Sequence, residues 1–144
     1  PGPAGDPVSV LDMGSLHAAL AEADIVIVGV PLTDDTRGLI DAAALAAMPD
    51  GALLVNVARG PVIDTEALMA ELESGRLRAA LDVTDPEPLP EGHPLWNCPG
   101  LLVSPHVGGD SSAMLPRMAR LIRRQIEHLQ RGEHPENLVL GRWS

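Results

Sequence analysis

Apolar positions along the chain alternate between unbroken runs and helical stripes. The run Asp24-IVIVGV-Pro31 is continuous, β-branched and stopped by proline, which predicts a strand buried on both faces of a sheet. A second buried strand is expected over 52–57 (ALLVNV), a third over Leu77 to Val83 and a short fourth over Leu101 to Ser104. Helical patterns fall between and around them. Ser15 to Glu22 carries an apolar stripe of Leu16, Ala19 and Leu20, with Ser15 as its N-cap. Asp41 to Met48 opens on Asp and closes before Pro49-Asp50-Gly51. Asp64 to Ser74 has Asp64 at its N-cap, Glu66 in its first turn and Gly75 at its C-terminal end. Ser111 to Gly132 is a long amphipathic helix: Leu115, Met118, Ile122, Ile126 and Leu129 recur at spacings of 3, 4, 4 and 3. Pro116 is compatible only with its start, so an irregular first turn is expected there. The first dozen residues, rich in Pro and Gly, read as a loop or weak strand.

Strands alternating with helices at this spacing define an α/β chain with a parallel sheet and right-handed crossovers. In such sheets ligands bind outside the carboxyl ends of the strands. The unusual polar residues fall there. Arg59 follows the second strand, Asp82 and Glu87 the third, and His106 the fourth; Arg59, Glu87 and His106 lie 28 and 19 positions apart. Each has a plain reading by itself: Arg59 as a surface residue, Glu87 as a solvated loop carboxylate between two prolines, His106 as a loop histidine satisfying a backbone carbonyl. Together on one rim, a cation, a carboxylate and an imidazole are the parts of an acid–base site for an anionic substrate. Arginine matches a carboxylate with two parallel hydrogen bonds. Histidine exchanges a proton near neutrality, and an adjacent carboxylate stabilises imidazolium and orients the ring.

Composition narrows the chemistry. The 144 residues include one cysteine, no phenylalanine or tyrosine, and two tryptophans, Trp96 and Trp143, so the core must be aliphatic. The lone Cys98, expected to be buried or half-buried, excludes an internal disulfide and a thiolate-rich metal site. No clustered histidines suggest a metal, and no G-x-S-x-G elbow suggests acyl transfer. All ten basic residues are Arg, so lysine chemistry is absent. His17, His128 and His134 are expected at the surface, and His93 lies in the Pro-rich loop 84–100. The net charge of −10 argues against a nucleic-acid surface. It divides into 17 acidic against 4 basic residues over 1–110, and 3 against 6 over 111–144. That basic tail reads as the solvated face of its helix. No apolar run reaches the roughly 18–20 residues that cross a bilayer, and no signal peptide is present, so a cytoplasmic location is expected.

Four segments in order resemble the D-isomer-specific 2-hydroxyacid dehydrogenases: PLTDDTRGLID (31–41), VNVARGPVID (55–64), ALDVTDPEP (80–88) and SPHVGG (104–109). The likeness runs from about Ser15 to about Leu138. It implies a partial Rossmann-like, doubly wound parallel sheet with flanking helices and a long C-terminal helix. It implies an NAD(P)-dependent oxidoreductase that passes a hydride at C2 of 2-hydroxy or 2-keto acids, with NAD or NADP as cofactor and a homodimeric state. By the same resemblance Arg59 binds the substrate carboxylate and His106 gives or takes the proton at the C2 oxygen. Glu87 holds and tunes His106, and Asp82 lies by the nicotinamide. Pro31, Val57, Ala58 and Gly108, with Arg59 and His106, line the cofactor.

The chain departs from the family pattern in having no GxGxxG, the glycine-rich turn that cradles the pyrophosphate. It also starts at Pro1 rather than Met. The expectation is therefore a C-terminal portion: residues 1–110 as a partial NAD-binding domain, 111–144 as an interdomain helix and tail returning to a substrate domain. By itself such a portion should bind NAD poorly and lack useful activity. Two other readings remain open, an NADH-sensing corepressor-like protein and a non-catalytic dimerisation fragment.

Overall fold

The computed structural model describes residues 10–137. Residues 1–9, Trp143 and the end of the tail lie outside that range. The chain forms two compact units, Pro1–His106 and Val107–Ser144.

The first unit is built on four parallel strands in the order β1-β2-β3-β4: Ile25–Val28, Leu53–Asn56, Arg78–Leu81 and Leu101–Val103. The helices are α1 (Leu16–Ala21), α2 (Ala42–Ala47) and α3 (Thr65–Glu73). Strands in sequential order joined by right-handed crossovers carry their connections on one face of the sheet. Register puts Val26, Leu54, Ala79 and Leu101 on one face and Ile27, Val55, Ala80 and Leu102 on the other. The first face joins the aliphatic core with Leu20, Leu45, Met48, Leu68 and Leu72.

The opposite face corrects one expectation. The first strand is not buried on both sides: Ile25 is 61% exposed and Ile27 67%, and Leu102 on β4 is 68% exposed. Strand β1 is also shorter than its apolar run. Among the described residues of the first unit, no helix covers these side chains. The apolar run records what a strand is suited to bury, whereas exposure depends on what packs against it.

Caps explain the helix boundaries. Asp41 accepts from Ala44 N–H at 2.8 Å and Asp64 from Ala67 N–H at 3.0 Å, so both helices start on a side-chain cap. Gly75 takes the left-handed conformation (φ 73°) just past α3. Ser15 occupies the N-cap position of α1, as expected, but its side chain makes no cap hydrogen bond. Asp12 accepts from Ser15 N–H at 3.1 Å and opens a 3-10 turn over Met13–Ser15, which places Ser15 inside the turn. Two further 3-10 turns, Gly60–Val62 and Pro94–Asn97, begin at residues whose prolines favour such starts.

Arg76 ties the C-terminal end of α2 to α3. Its guanidinium donates at 2.6 Å to the carbonyls of both Leu45 and Met48 and to the Glu71 carboxylate. The Met48 carbonyl at the C-cap of α2 thereby gains a donor, and the Leu45 carbonyl, which already accepts from Met48 N–H, gains a second, charged one. Replacing Arg76 by alanine is expected to cost about 2 kcal/mol, since hydrogen bonds to a charged group are involved, read as a lowered urea midpoint at neutral pH. The Arg76 hydrogen bond also holds the Glu71 carboxyl below its ordinary value of 4.5. That contribution is present above this value and fades as pH falls through the lowered folded value.

The second unit contains α4 (Met114–Gln130). Its N-cap, Ala113, provides no side-chain acceptor, and Pro116 sits in its first turn. The helix therefore starts later than the periodicity suggested. Its stripe of Leu115, Met118, Ile122, Ile126 and Leu129 is exposed. His128 departs from its expected surface position: it is half-buried, its Nδ1 2.8 Å from the His134 carbonyl, with Glu133 and Glu136 within 4 Å.

Candidate active site

The carboxyl rim of the sheet carries the chemistry, each residue placed by the strand before it. At the end of β2, Asn56 is 1% exposed, the most buried polar side chain among the described residues. Its Oδ1 accepts from Ala58 N–H and its Nδ2 donates to the Arg59 carbonyl, both at 3.0 Å. The amide thus closes the turn that presents Arg59, and both of its polar ends are satisfied. The exposed Arg59 guanidinium lies back on the Ala58 carbonyl at 2.6 Å.

The next residue, Gly60, fixes this loop against the one beyond β3. A Cβ there would lie 1.9 Å from the Thr84 carbonyl oxygen, so only glycine permits the approach. The β3 loop then runs through Asp85-Pro86-Glu87-Pro88, with the Asp85–Pro86 and Glu87–Pro88 peptides cis. Thr65 Oγ1 holds it through the Asp85 carbonyl at 3.1 Å.

Beyond β4, His106 adopts the left-handed conformation (φ 57°), uncommon outside glycine. Its N–H donates to the Ser104 carbonyl at 3.0 Å. This turn aims the ring at Glu87, whose Oε1 pairs with His106 Nδ1. A carboxylate on Nδ1 fixes the ring and leaves Nε2 as the atom that can exchange a proton with a ligand. The Ser104 hydroxyl donates to the Asp82 carboxylate.

Asp82, Glu87, Ser104 and His106 line one cavity of about 210 Å³, with Trp96 as a wall. Trp96 donates its indole N–H to the Pro90 carbonyl at 3.0 Å and is half exposed. Arg59 is not among the lining residues of this cavity. A larger, more open hollow of about 630 Å³ is bordered by Arg37, Asp64, Thr65, Asp85 and His93 and contains none of the acid–base residues. The smaller cavity is the better candidate because a proton-exchanging pair faces it. His93 borders only the larger hollow, and its Nδ1 accepts from Leu95 N–H at 3.2 Å.

Pro31 and Val57 are exposed beyond β1 and β2, whereas Ala58 is buried. Gly108 belongs to the second unit and is exposed. Cys98 is buried, and burial pushes its thiol up from its ordinary value, which makes it unreactive. Asn56, Gly60, Ser104 and Trp96 were not anticipated as site residues. Asn56 alone carried a local signal, as a polar side chain inside an apolar strand.

A parallel sheet with its polar residues gathered at the carboxyl rim is the nucleotide-binding class of α/β architecture. Residues 5–108 match the model of the D-isomer specific 2-hydroxyacid dehydrogenase NAD binding domain, and the chain belongs to that family. It is 41% identical to a glyoxylate reductase of Thermofilum pendens, over 90% of this chain and 38% of the relative. It is 38% identical to a glyoxylate/hydroxypyruvate reductase B of Citrobacter koseri, over 86% of this chain and 39% of the relative. Among solved structures it is similar to a D-isomer specific 2-hydroxyacid dehydrogenase of Xanthobacter autotrophicus Py2 in complex with NADPH and MES. The TM-score is 0.77 at 45% identity, covering 86% of this chain and 51% of that one. The chain spans about two-fifths of the length of these curated relatives. Among the described residues, no helix is long and apolar enough to cross a membrane.

The rim suits the nicotinamide end of such a cofactor. Exposed apolar groups, Pro31 and Val57, follow β1 and β2, and the polar Asp82 and Ser104 follow β3 and β4. No GxGxxG is present to cradle the pyrophosphate.

Proposed function

We propose that this chain provides the acid–base and nicotinamide-facing part of an NAD(P)-dependent reductase of small 2-keto acids, of the glyoxylate/hydroxypyruvate type. The observation that carries this reading is the Glu87–His106 pair facing a cavity shared with Asp82. The bound dinucleotide supplies the hydride for the keto carbon, or takes it up in the reverse direction. His106 donates the proton to the C2 oxygen from Nε2 while Glu87 balances the charge of the imidazolium. Arg59 exchanges its Ala58 carbonyl for the substrate carboxylate, and the Asn56 amide keeps its backbone in place. Residues 1–110 act as the cofactor-domain part and 111–144 as the segment leading to a substrate domain. The working protein is a cytoplasmic homodimer.

The chain alone is expected to bind NADH weakly and to reduce no glyoxylate, because it carries no pyrophosphate cradle. Joined to the segments of the Thermofilum pendens glyoxylate reductase that this chain does not cover, it should reduce glyoxylate with NADH or NADPH. Arg59→Ala in that hybrid should then raise KM for glyoxylate about a hundredfold, the worth of a bidentate charged contact, without weakening NADH binding. A folded hybrid that binds NADH yet shows no turnover would remove the enzyme reading and favour a nucleotide sensor.

A further inference from the structure

Helix α4 is symmetric about its own midpoint. It runs from Met114 to Gln130, and Ile122 is its central residue. The apolar stripe shares that centre: Leu115 and Leu129 each lie seven residues from Ile122, Met118 and Ile126 each four. All five side chains are exposed, Ile122 at 52%. The charges keep clear of the stripe. At roughly 100° per residue, Arg117, Arg120, Arg124 and Glu127 fall about 140–160° round the helix from Ile122, and Arg123 about 100°. Two neutral residues, Ala119 and Gln125, flank the stripe at about 60° on either side. The small Ala119 borders a groove beside Ile122 and Ile126. Gln125 is held by its amide, which donates to the Glu136 carbonyl at 2.7 Å and accepts from Glu136 N–H at 2.9 Å.

We propose that this face of α4 docks on the same face of α4 in a second copy of the chain, antiparallel, across a twofold axis at Ile122. A twofold axis sets each position against its mirror position in the sequence, so a self-complementary stripe needs palindromic spacing. The spacings 3, 4, 4 and 3 meet that condition. Leu115 then faces Leu129 of the second copy, Met118 faces Ile126, and Ile122 meets its own counterpart. The two helices overlap along their whole length, and removing five apolar side chains per copy from water drives the pairing. The net charge of −10 opposes the other surface that takes an amphipathic helix, an anionic lipid bilayer. A seam one helix wide falls short of the roughly 1,200 Å² of stable interfaces, so pairing is expected at about 10–100 μM. This gives the homodimer of the proposed function a surface, and it does not depend on the dehydrogenase chemistry.

Sedimentation velocity on this chain, from about 5 to 500 μM, should show a shift from monomer to dimer. Ile122→Glu sets two carboxylates together on the axis and should raise the dissociation constant about a hundredfold. Arg120→Glu, on the far face, should change it less than about twofold. Direction is read by cysteine pairing in a Cys98→Ala background. Mixed and oxidised, Leu115→Cys and Leu129→Cys should cross-link to each other about tenfold more than either does to itself, as read by peptide mass spectrometry. An undiminished dimer in Ile122→Glu, or a preference for like-with-like cross-links, overturns the proposal. A chain still monomeric at the highest concentration also overturns it; binding of that monomer to phosphatidylserine vesicles would assign the face to lipid. Should Ile122→Glu unwind α4 in circular dichroism, the cross-links decide, because Leu115 and Leu129 are exposed. None of these measurements uses cofactor or turnover. Failure here is thus distinct from failure of the dehydrogenase reading, which would appear as absent glyoxylate reduction by the hybrid.

Discussion

Gly60→Ala is expected to lower the thermal midpoint of this chain by about 10 °C, from a loss of about 3 kcal/mol. The added methyl would lie 1.9 Å from the Thr84 carbonyl oxygen, 2.2 Å from its carbon and 2.7 Å from Asp85 N. All three are backbone atoms, which cannot move aside by changing rotamer. The clash is relieved only by separating the loop after β2 from the loop after β3. Thr84 is itself buried, and its hydroxyl donates to the Pro86 carbonyl at 2.8 Å, so displacement spreads toward Glu87. The variant should therefore also disturb the His106 ring signals, although His106 is 46 positions away in sequence. Gly29→Ala is the control. Nothing lies within 4 Å of its Cβ position, and its backbone is not left-handed. That substitution should change the midpoint little. Equal midpoints for the two variants would mean that the loops are not in contact.

The same pair of loops shows what the sequence could and could not convey. Strand β2 and the helix between Asp64 and Gly75 were legible because their causes are local: an apolar run, an N-cap three residues from its partner, a glycine for a positive φ. The parallel α/β class followed from the alternation of such segments. The rim position of Arg59, Glu87 and His106 followed from topology alone. The Glu87–His106 contact was expected from the family resemblance, but the other contacts that assemble the site were not legible. Gly60 against Thr84, Ser104 against Asp82 and Arg76 against Leu45 join residues 22 to 31 positions apart. No periodicity marks such pairs, because each depends on how loops of particular length meet. The exposed face of β1 was misread for a related reason. Ile25 and Ile27 have the character of buried residues, and the run says nothing of what lies over them. Ser15 makes no side-chain cap because its hydroxyl donates to the Asp12 carboxylate, 3.2 Å away, instead of facing the first N–H groups of the helix.

In a complete dehydrogenase containing this chain, His106→Ala is expected to slow keto-acid reduction by about a hundred- to ten-thousandfold, the range for loss of a general acid. NADH affinity should change little, because the pyrophosphate and ribose contacts lie elsewhere in such folds. The contacts that hold the ring leave Nε2 free to act. Glu87 occupies Nδ1, and the backbone bond to Ser104 stabilises the left-handed turn that points the ring into the cavity. Alanine removes the proton donor and leaves the turn under strain, so a stability measurement must accompany the kinetics. His106→Asn separates the two effects. Asparagine tolerates the left-handed region better than most residues and can donate a hydrogen bond, but it cannot transfer the proton. It should fold normally and remain as slow as alanine. Glu87→Gln keeps the shape and removes the charge that balances imidazolium, so it should give a smaller loss, about ten- to a hundredfold, if the carboxylate acts through His106. In His106→Ala, where no imidazole remains to be balanced, adding Glu87→Gln should cost little more. Independent, multiplying losses would separate Glu87 from His106 and overturn their assignment as one acid–base unit.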